Sequence, residues 1–258
     1  MKSILQIKNL SFSYFSKSVL EDIDLDVEEH DIFVLLGPNG AGKTTFMKCI
    51  LGLLKHEKGS VKYFDKELNK YSKTELAKIV CFVPQLSTIN NGFLARDYIA
   101  FACTPNLKFY ESPGLEVYKK IDKLAVEFGA VNLLNRPMCE LSGGEQQIIS
   151  IVKALAQDCP MIVLDEPTSA LDYGNQGKFL EYIKKLKMLG KTIIISSHNP
   201  NHALILDSKI CVLQNKKIEY LGKASEIISE EMLSRVYGGT YSLIRDESGK
   251  FYCTWKPA

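Results

Sequence analysis

The chain has 258 residues, 32 Lys and Arg against 30 Asp and Glu, and a net charge of +2. That balance excludes a nucleic-acid binder held by charge alone, and no polybasic run or acidic tail appears. Hydrophobic residues at 46% and charged residues at 24% are ordinary globular usage, and the length fits one large domain or a domain carrying a subdomain. The 7 Cys are odd in number and form no Cys-x-x-Cys pair, which argues against a disulfide framework or a zinc site. Most of them read as small buried hydrophobes in a reducing compartment.

The first residues lack the apolar core of a signal peptide. Strands are expected over 4–15 and 19–27, where apolar and polar residues alternate. Residues 32–36 form a continuous apolar run, as in a strand buried on both faces. A Gly-rich turn follows, then an apolar helix over 43–54. Short strands are expected over 59–64 and 79–83. From 94 to 134 the chain reads as helical, broken at Pro105 and Pro113, with an amphipathic helix over 116–128. A helix over 143–157, a buried strand over 161–164, a helix over 176–189 closed by Gly190 and a buried strand over 192–196 restore the α/β rhythm. A hairpin over 210–221 turns at Gln214-Asn215-Lys216, a helix covers 225–237, and a last hairpin turns around Ser248-Gly249. The apolar runs at 32–36 and 161–164 are too short to span a bilayer, so a soluble chain is expected, with any membrane spans supplied by another protein.

The strongest motif is Gly37-Pro38-Asn39-Gly40-Ala41-Gly42-Lys43-Thr44, a GxxxxGK[ST] loop between a strand and a helix. Glycines let the backbone fold tightly enough for several N–H groups to face phosphate oxygens, and the helix presents its positive end to them. Lys43 would reach the β- and γ-phosphates and Thr44 would ligate Mg²⁺. Met161-Ile162-Val163-Leu164-Asp165-Glu166 is an apolar strand ending in two acids. Beside a phosphate loop, Asp165 would hold Mg²⁺ through water, and Glu166 would deprotonate the attacking water. In Leu141-Ser142-Gly143-Gly144-Glu145-Gln146-Gln147, Ser142 and Glu145 match a capping box. Two adjacent glycines are poor helix formers, and suit a backbone that approaches a ligand closely. Both readings of this stretch are compatible.

This string, with the others in order, resembles the signature of the ABC (ATP-binding cassette) ATPases. The resemblance covers roughly residues 5–239. Tyr14 stands where the family keeps an aromatic against adenine. Gln85 matches the Q-loop, Ser169-Ala170-Leu171-Asp172 the D-loop and His198 the switch histidine. The family implies an α/β phosphate-loop cassette with an N-terminal antiparallel β region and a helical subdomain inserted near 90–158. The cassette would fill 1–240, and 241–258 would be an extension forming a β-hairpin. It implies ATP hydrolysis in a head-to-tail sandwich. ATP held by 37–45, Thr45 included, would be covered by Ser142, Gly143 and Gly144 of a second cassette, with Asp172 at the same interface. Glu166 would act as base, His198 would touch the γ-phosphate, and Gln85 would touch Mg²⁺ or the water. Partners would be a second copy, a membrane permease and a solute-binding protein, at the cytoplasmic face of the membrane, with no nucleic acid.

Arg96-Asp97-Tyr98 through Thr104-Pro105-Asn106-Leu107, Leu171–Gln176 and Val236-Tyr237-Gly238 resemble importers of iron–siderophore, haem and cobalamin complexes. Importers of other solutes, and a soluble cassette acting without a permease, stay open as alternatives. The chain departs from the family in Glu145-Gln146-Gln147-Ile148, the run after the signature glycines where Arg is frequent, at His30-Asp31, where Gly is frequent, and at Asn199, where Asp is frequent. None of these removes a catalytic group.

Overall fold

Apolar and polar residues alternate along β1 (Ser3–Tyr14) and β2 (Lys17–Glu28), which pair antiparallel at the start of a computed structural model describing residues 2–85, 92–106, 112–169, 171–247 and 249–257. The alternation slips by one residue in each strand. Asn9 and Asp22 both take positive φ, 51° and 50°, and register shifts flank them. Each bulge returns the next apolar residue to the core face, so Leu5, Ile7, Leu10 and Phe12 are all buried.

The remaining elements follow in order. They are β3 (Ile32–Leu36), α1 (Lys43–Ile50), β4 (Lys58–Tyr63), β5 (Lys66–Glu67), α2 (Lys73–Ala77), β6 (Val80–Val83), α3 (Ala95–Ala100), α4 (Leu115–Glu127) and α5 (Gly143–Gln157). After these come β7 (Met161–Leu164), α6 (Tyr173–Met188), β8 (Thr192–Ser197), α7 (Pro200–Leu206), β9 (Lys209–Gln214), β10 (Lys217–Lys223), α8 (Ala224–Ile227), α9 (Glu230–Tyr237), β11 (Thr240–Arg245) and β12 (Phe251–Lys256). They divide into two compact units: residues up to Lys70 together with those from Leu186 onward, and Tyr71–Lys185.

In the first unit, β2-β1-β4-β5 form an antiparallel sheet. A second set runs β10-β9-β3-β8, with β3 parallel to both β8 and β9. Every residue of β3 and β8 is buried; β3 reads as an unbroken apolar run for that reason, while β8 keeps Ile193–Ile195 at its centre between Thr192 and two buried serines. The β9–β10 turn falls at Asn215 and Lys216, whose φ values of 49° and 69° suit a tight hairpin. β11 and β12 pair antiparallel at the end of the chain, and Ser248 in the stretch between them lies outside the described residues.

In the second unit, β6 and β7 are parallel neighbours, and helices make up the rest. Residues 101–106 wind as a 3-10 helix that includes Pro105 rather than breaking there, while Leu107 lies outside the described residues. α4 buries Ile121 and Ala125, with Phe128 at its C-cap, on one face. Some limits differ from the periodicity. α1 stops at Ile50, four residues early. α6 starts at Tyr173, because Asp172 caps it through the Asn175 amide at 2.8 Å. The stretch 225–237 splits into α8 and α9, because Ser229 starts a new helix by capping Met232 at 3.1 Å. Cys49, Cys81, Cys103, Cys159 and Cys211 are buried thiols, while Cys139 is exposed.

Gly59 faces the β1 bulge so closely that an added Cβ would lie 2.4 Å from the Lys8 and Asn9 carbonyl oxygens, at φ +90°. Gly238, at φ +71°, meets nothing within 4 Å. Gly59→Ala is therefore expected to destabilise by about 2 kcal/mol or more and Gly238→Ala by about 1 kcal/mol. Thermal unfolding of the two variants against wild type checks the order.

Candidate functional site

The phosphate loop leaves β3 at Gly37. Its φ is +152°, and a Cβ there would sit 2.3 Å from the Leu213 carbonyl oxygen of β9, so only glycine fits. Gly40 (φ +81°) and Gly42 (φ +103°) carry the loop into α1, where Val19 Cγ1 and Leu20 Cδ2 of β2 lie 3.1 and 3.3 Å from the Cβ that Gly42 lacks. Lys43 is only 5% exposed. Its ammonium donates to the Gly37 carbonyl at 2.8 Å and the Pro38 carbonyl at 3.1 Å, so the lysine is folded back across the loop. Ala41 N–H closes the loop onto the Pro38 carbonyl at 3.2 Å, while Asn39 and Gly40 face outward.

α1 has no side-chain cap and no acid in its first turn. By contrast, α2 and α5 start with complete capping boxes. The first N–H groups of α1, with the exposed Thr44 and the buried Thr45 beside them, thus suit an anion rather than a carboxylate of the chain. Tyr14 is 42% exposed on the β1–β2 hairpin, the one whose second strand abuts Gly42, and packs edge-on to Phe12 at 4.8 Å.

β3 and β8 are in register with Leu36 opposite Ser197. The next residue on one strand is Gly37 and on the other is His198, so the loop and the exposed histidine leave the same end of neighbouring parallel strands. Two residues that the sequence did not single out lie behind His198. His202 is buried beside Ser197, with Nδ1 2.9 Å from the serine hydroxyl, and Asn201 pairs with β12. Burial, reinforced by the nearby His198, lowers the His202 imidazole to about 4. The one hint in the sequence was a second histidine four residues after the first.

The second unit holds the acids. Val83 lies opposite Leu164, so Gln85 and the pair Asp165-Glu166 leave the same end of β6 and β7. Asp165 is 2% exposed, and its N–H donates to the Val83 carbonyl at 2.9 Å. Glu166 takes a positive φ of 42°, a conformation that costs a non-glycine residue about 1–3 kcal/mol and clusters at active sites. The turn is held by Ser169, whose hydroxyl donates to the Glu166 carbonyl at 2.9 Å and accepts from Gln85 Nε2 at 3.4 Å. Gln85 and Glu166 are thereby joined through a serine that sequence reasoning had placed only in the D-loop; Ala170 beside it lies outside the described residues.

Ser142 caps α5 by the expected box: Glu145 N–H donates to its hydroxyl at 3.4 Å and its own N–H donates to Glu145 Oε2 at 2.7 Å. That backbone bond, with Arg136 Nη1 at 2.9 Å from the other oxygen, holds the Glu145 carboxyl below its usual range. Ser142 and Gly143 stay exposed. A Cβ on Gly144 would meet only ordinary contacts at 3.6 Å, so nothing within the unit demands glycine at that position. The Asp172 carboxylate is engaged by Asn175 at both oxygens, 2.8 and 2.9 Å, as the α6 cap.

A family model described as ABC transporter matches residues 20–169. An uncharacterized ABC transporter ATP-binding protein of Haemophilus influenzae is 37% identical, over 91% of this chain and 89% of that protein. The Helicobacter pylori protein named as a probable iron chelatin transport ATP-binding protein is 30% identical over 91% and 92%. The hemin import ATP-binding protein HmuV of Shewanella denitrificans is 30% identical over 91% and 93%. In fold, the chain resembles a chain of a metal-chelate type ABC transporter in an inward-facing conformation, with a TM-score of 0.87 at 24% identity, covering 100% of this chain and 98% of that one. The chain belongs to the ABC transporter family and is one of its ATP-hydrolysing cassettes.

Proposed function

We propose that this cassette powers uptake of a metal chelate, an iron–siderophore, haem or related corrinoid complex, from the cytoplasmic face of a membrane. Support for the cargo comes from the relatives named for iron chelatin and hemin import. No helix among the described residues is long and apolar enough to cross a membrane, so a permease subunit would supply the path. Residues 1–240 would form the cassette and 241–258 an appended hairpin.

The observation that carries the hydrolytic reading is the shared exit of Gly37 and His198 from adjacent parallel strands, with Lys43 already drawn into the loop. In this reading the loop amides of 37–45 and the Lys43 ammonium hold the β- and γ-phosphates of ATP, and Tyr14 stacks on the adenine. Glu166 takes a proton from the attacking water, Gln85 orients that water, and His198 contacts the γ-phosphate. Oxygen donors at Thr44, Gln85 and Asp165 suit Mg²⁺. Among the described residues no three His, Cys, Asp or Glu side chains gather into a metal cage, so the ion would draw most of its ligands from nucleotide and water. When bound, Mg²⁺ supplies charge neutralisation at the phosphates. Each chain carries one set of motifs, so two copies would pair, and the exposed Ser142 and Gly143 with the half-buried Gly144 of one would close on the ATP of the other, with Asp172 near the same face. A solute-binding protein would deliver the chelate.

Glu166→Gln is expected to keep ATP affinity within about threefold while lowering turnover about a hundredfold or more. Lys43→Ala is expected to lose both nucleotide binding and turnover. Phosphate release and nucleotide titration on the purified full chain check both. Accumulation of labelled iron chelate by the native host should fall when the gene is deleted, return with the wild-type gene and fail to return with Glu166→Gln. Undiminished accumulation in the deletion strain would reject the cargo while leaving the ATPase assignment intact.

A further inference from the structure

His198 is framed by a closed set of polar contacts that the catalytic motifs do not include. The Ser197 hydroxyl accepts from Asn199 N–H at 3.0 Å and lies 3.3 Å from the Asn199 carbonyl. His202 Nδ1 is 2.9 Å from the same hydroxyl, and its Nε2 is 3.4 Å from Asn199 Nδ2. Asn199 Oδ1 accepts from Asn201 N–H at 3.0 Å, capping α7. The Asn201 side chain then pairs with the backbone of Cys253 in β12 twice over, donating to its carbonyl at 3.0 Å and accepting from its N–H at 2.7 Å.

One proton assignment satisfies every pair. His202 carries its proton on Nδ1 and donates to Ser197; Ser197 donates to the Asn199 carbonyl; Asn199 Nδ2 donates to the bare Nε2. A second proton on His202 would set two donors face to face at Nε2. The imidazole is 4% exposed, and its burial keeps it neutral. The residues on both sides of His198 are thus tied to one buried ring, and the helix carrying that ring is tied to the C-terminal hairpin, which lies beyond the segment matched by the family model.

We propose that Asn201 and His202 are positioning residues for His198, and that β12, through the Cys253 backbone, completes the brace that aims the histidine. This rests on the reading of His198 as the γ-phosphate contact. A brace acts on the geometry of the reacting group and leaves the nucleotide-binding loop untouched, so its loss should appear in kcat rather than in ATP affinity.

The test uses the full-length chain in the complex in which it is isolated. Asn201→Ala and His202→Phe are each expected to lower kcat about tenfold with ATP affinity changed less than twofold. His202→Asn, whose amide can still donate to Ser197, should recover most of the loss. In a His198→Ala background, Asn201→Ala should add nothing, because the group it aims is gone. Should His202→Phe fail to fold, the half-buried Asn201 and the double variant carry the same test. Wild-type kcat in Asn201→Ala and His202→Phe, or equal further loss in the His198→Ala background, overturns the brace alone. Wild-type turnover in His198→Ala overturns both the brace and the role of His198.

Discussion

The exit of β3 at Gly37 is the constraint on which the rest of the phosphate-binding unit depends. The loop turns against the Leu213 carbonyl with no room for a side chain, and β3 is clamped in register between β8 and β9. Because Leu36 faces Ser197 and also Val212, the position of the loop is set by two parallel neighbours, β8 wholly buried and β9 buried at all but its end residues, rather than by the loop itself. A flexible Gly-rich segment acquires a defined shape in this way. Lys43, bonded to two loop carbonyls, then fixes its interior. His198 shares the arrangement, since it follows directly from the residue opposite Leu36.

The same logic appears in the unit that carries the acids. β6 and β7 end together, so a glutamine and two carboxylates emerge at one strand edge, and Ser169 ties the glutamine to the strained turn at Glu166. Strain at a single glutamate is affordable where the preceding strand is wholly buried and the following turn is closed by two bonds from one serine. In both units, the parallel strands supply rigidity and the short loops supply chemistry.

The sequence made the buried strands legible, because a strand covered on both faces is dominated by apolar residues. Ile32–Leu36, Met161–Leu164 and most of Thr192–Ser197 were readable for that reason. The phosphate loop and the capping box at Ser142 were readable because their residue types are fixed by backbone geometry. Two short helices were not. α2 spans five residues and α7 seven, too few to show a period, and α7 begins at a proline that reads equally well as a turn. The bulges at Asn9 and Asp22 were also invisible, since a one-residue slip looks like imperfect alternation. His198 and His202 are the plainest case. Two histidines four apart are alike in sequence, and only packing makes one exposed and the other a neutral buried anchor. The hairpin partner of Asn201 lies 52 residues away, which no local pattern reports.

The central claim is that this cassette works as the motor of a membrane transporter. The most direct measurement is to isolate the tagged full-length chain from gently solubilised membranes of its native host and identify by mass spectrometry what is bound to it. A polytopic membrane protein recovered with the chain in a fixed ratio is the predicted result. Recovery with ribosomes, nucleic acid or soluble proteins alone would contradict the account.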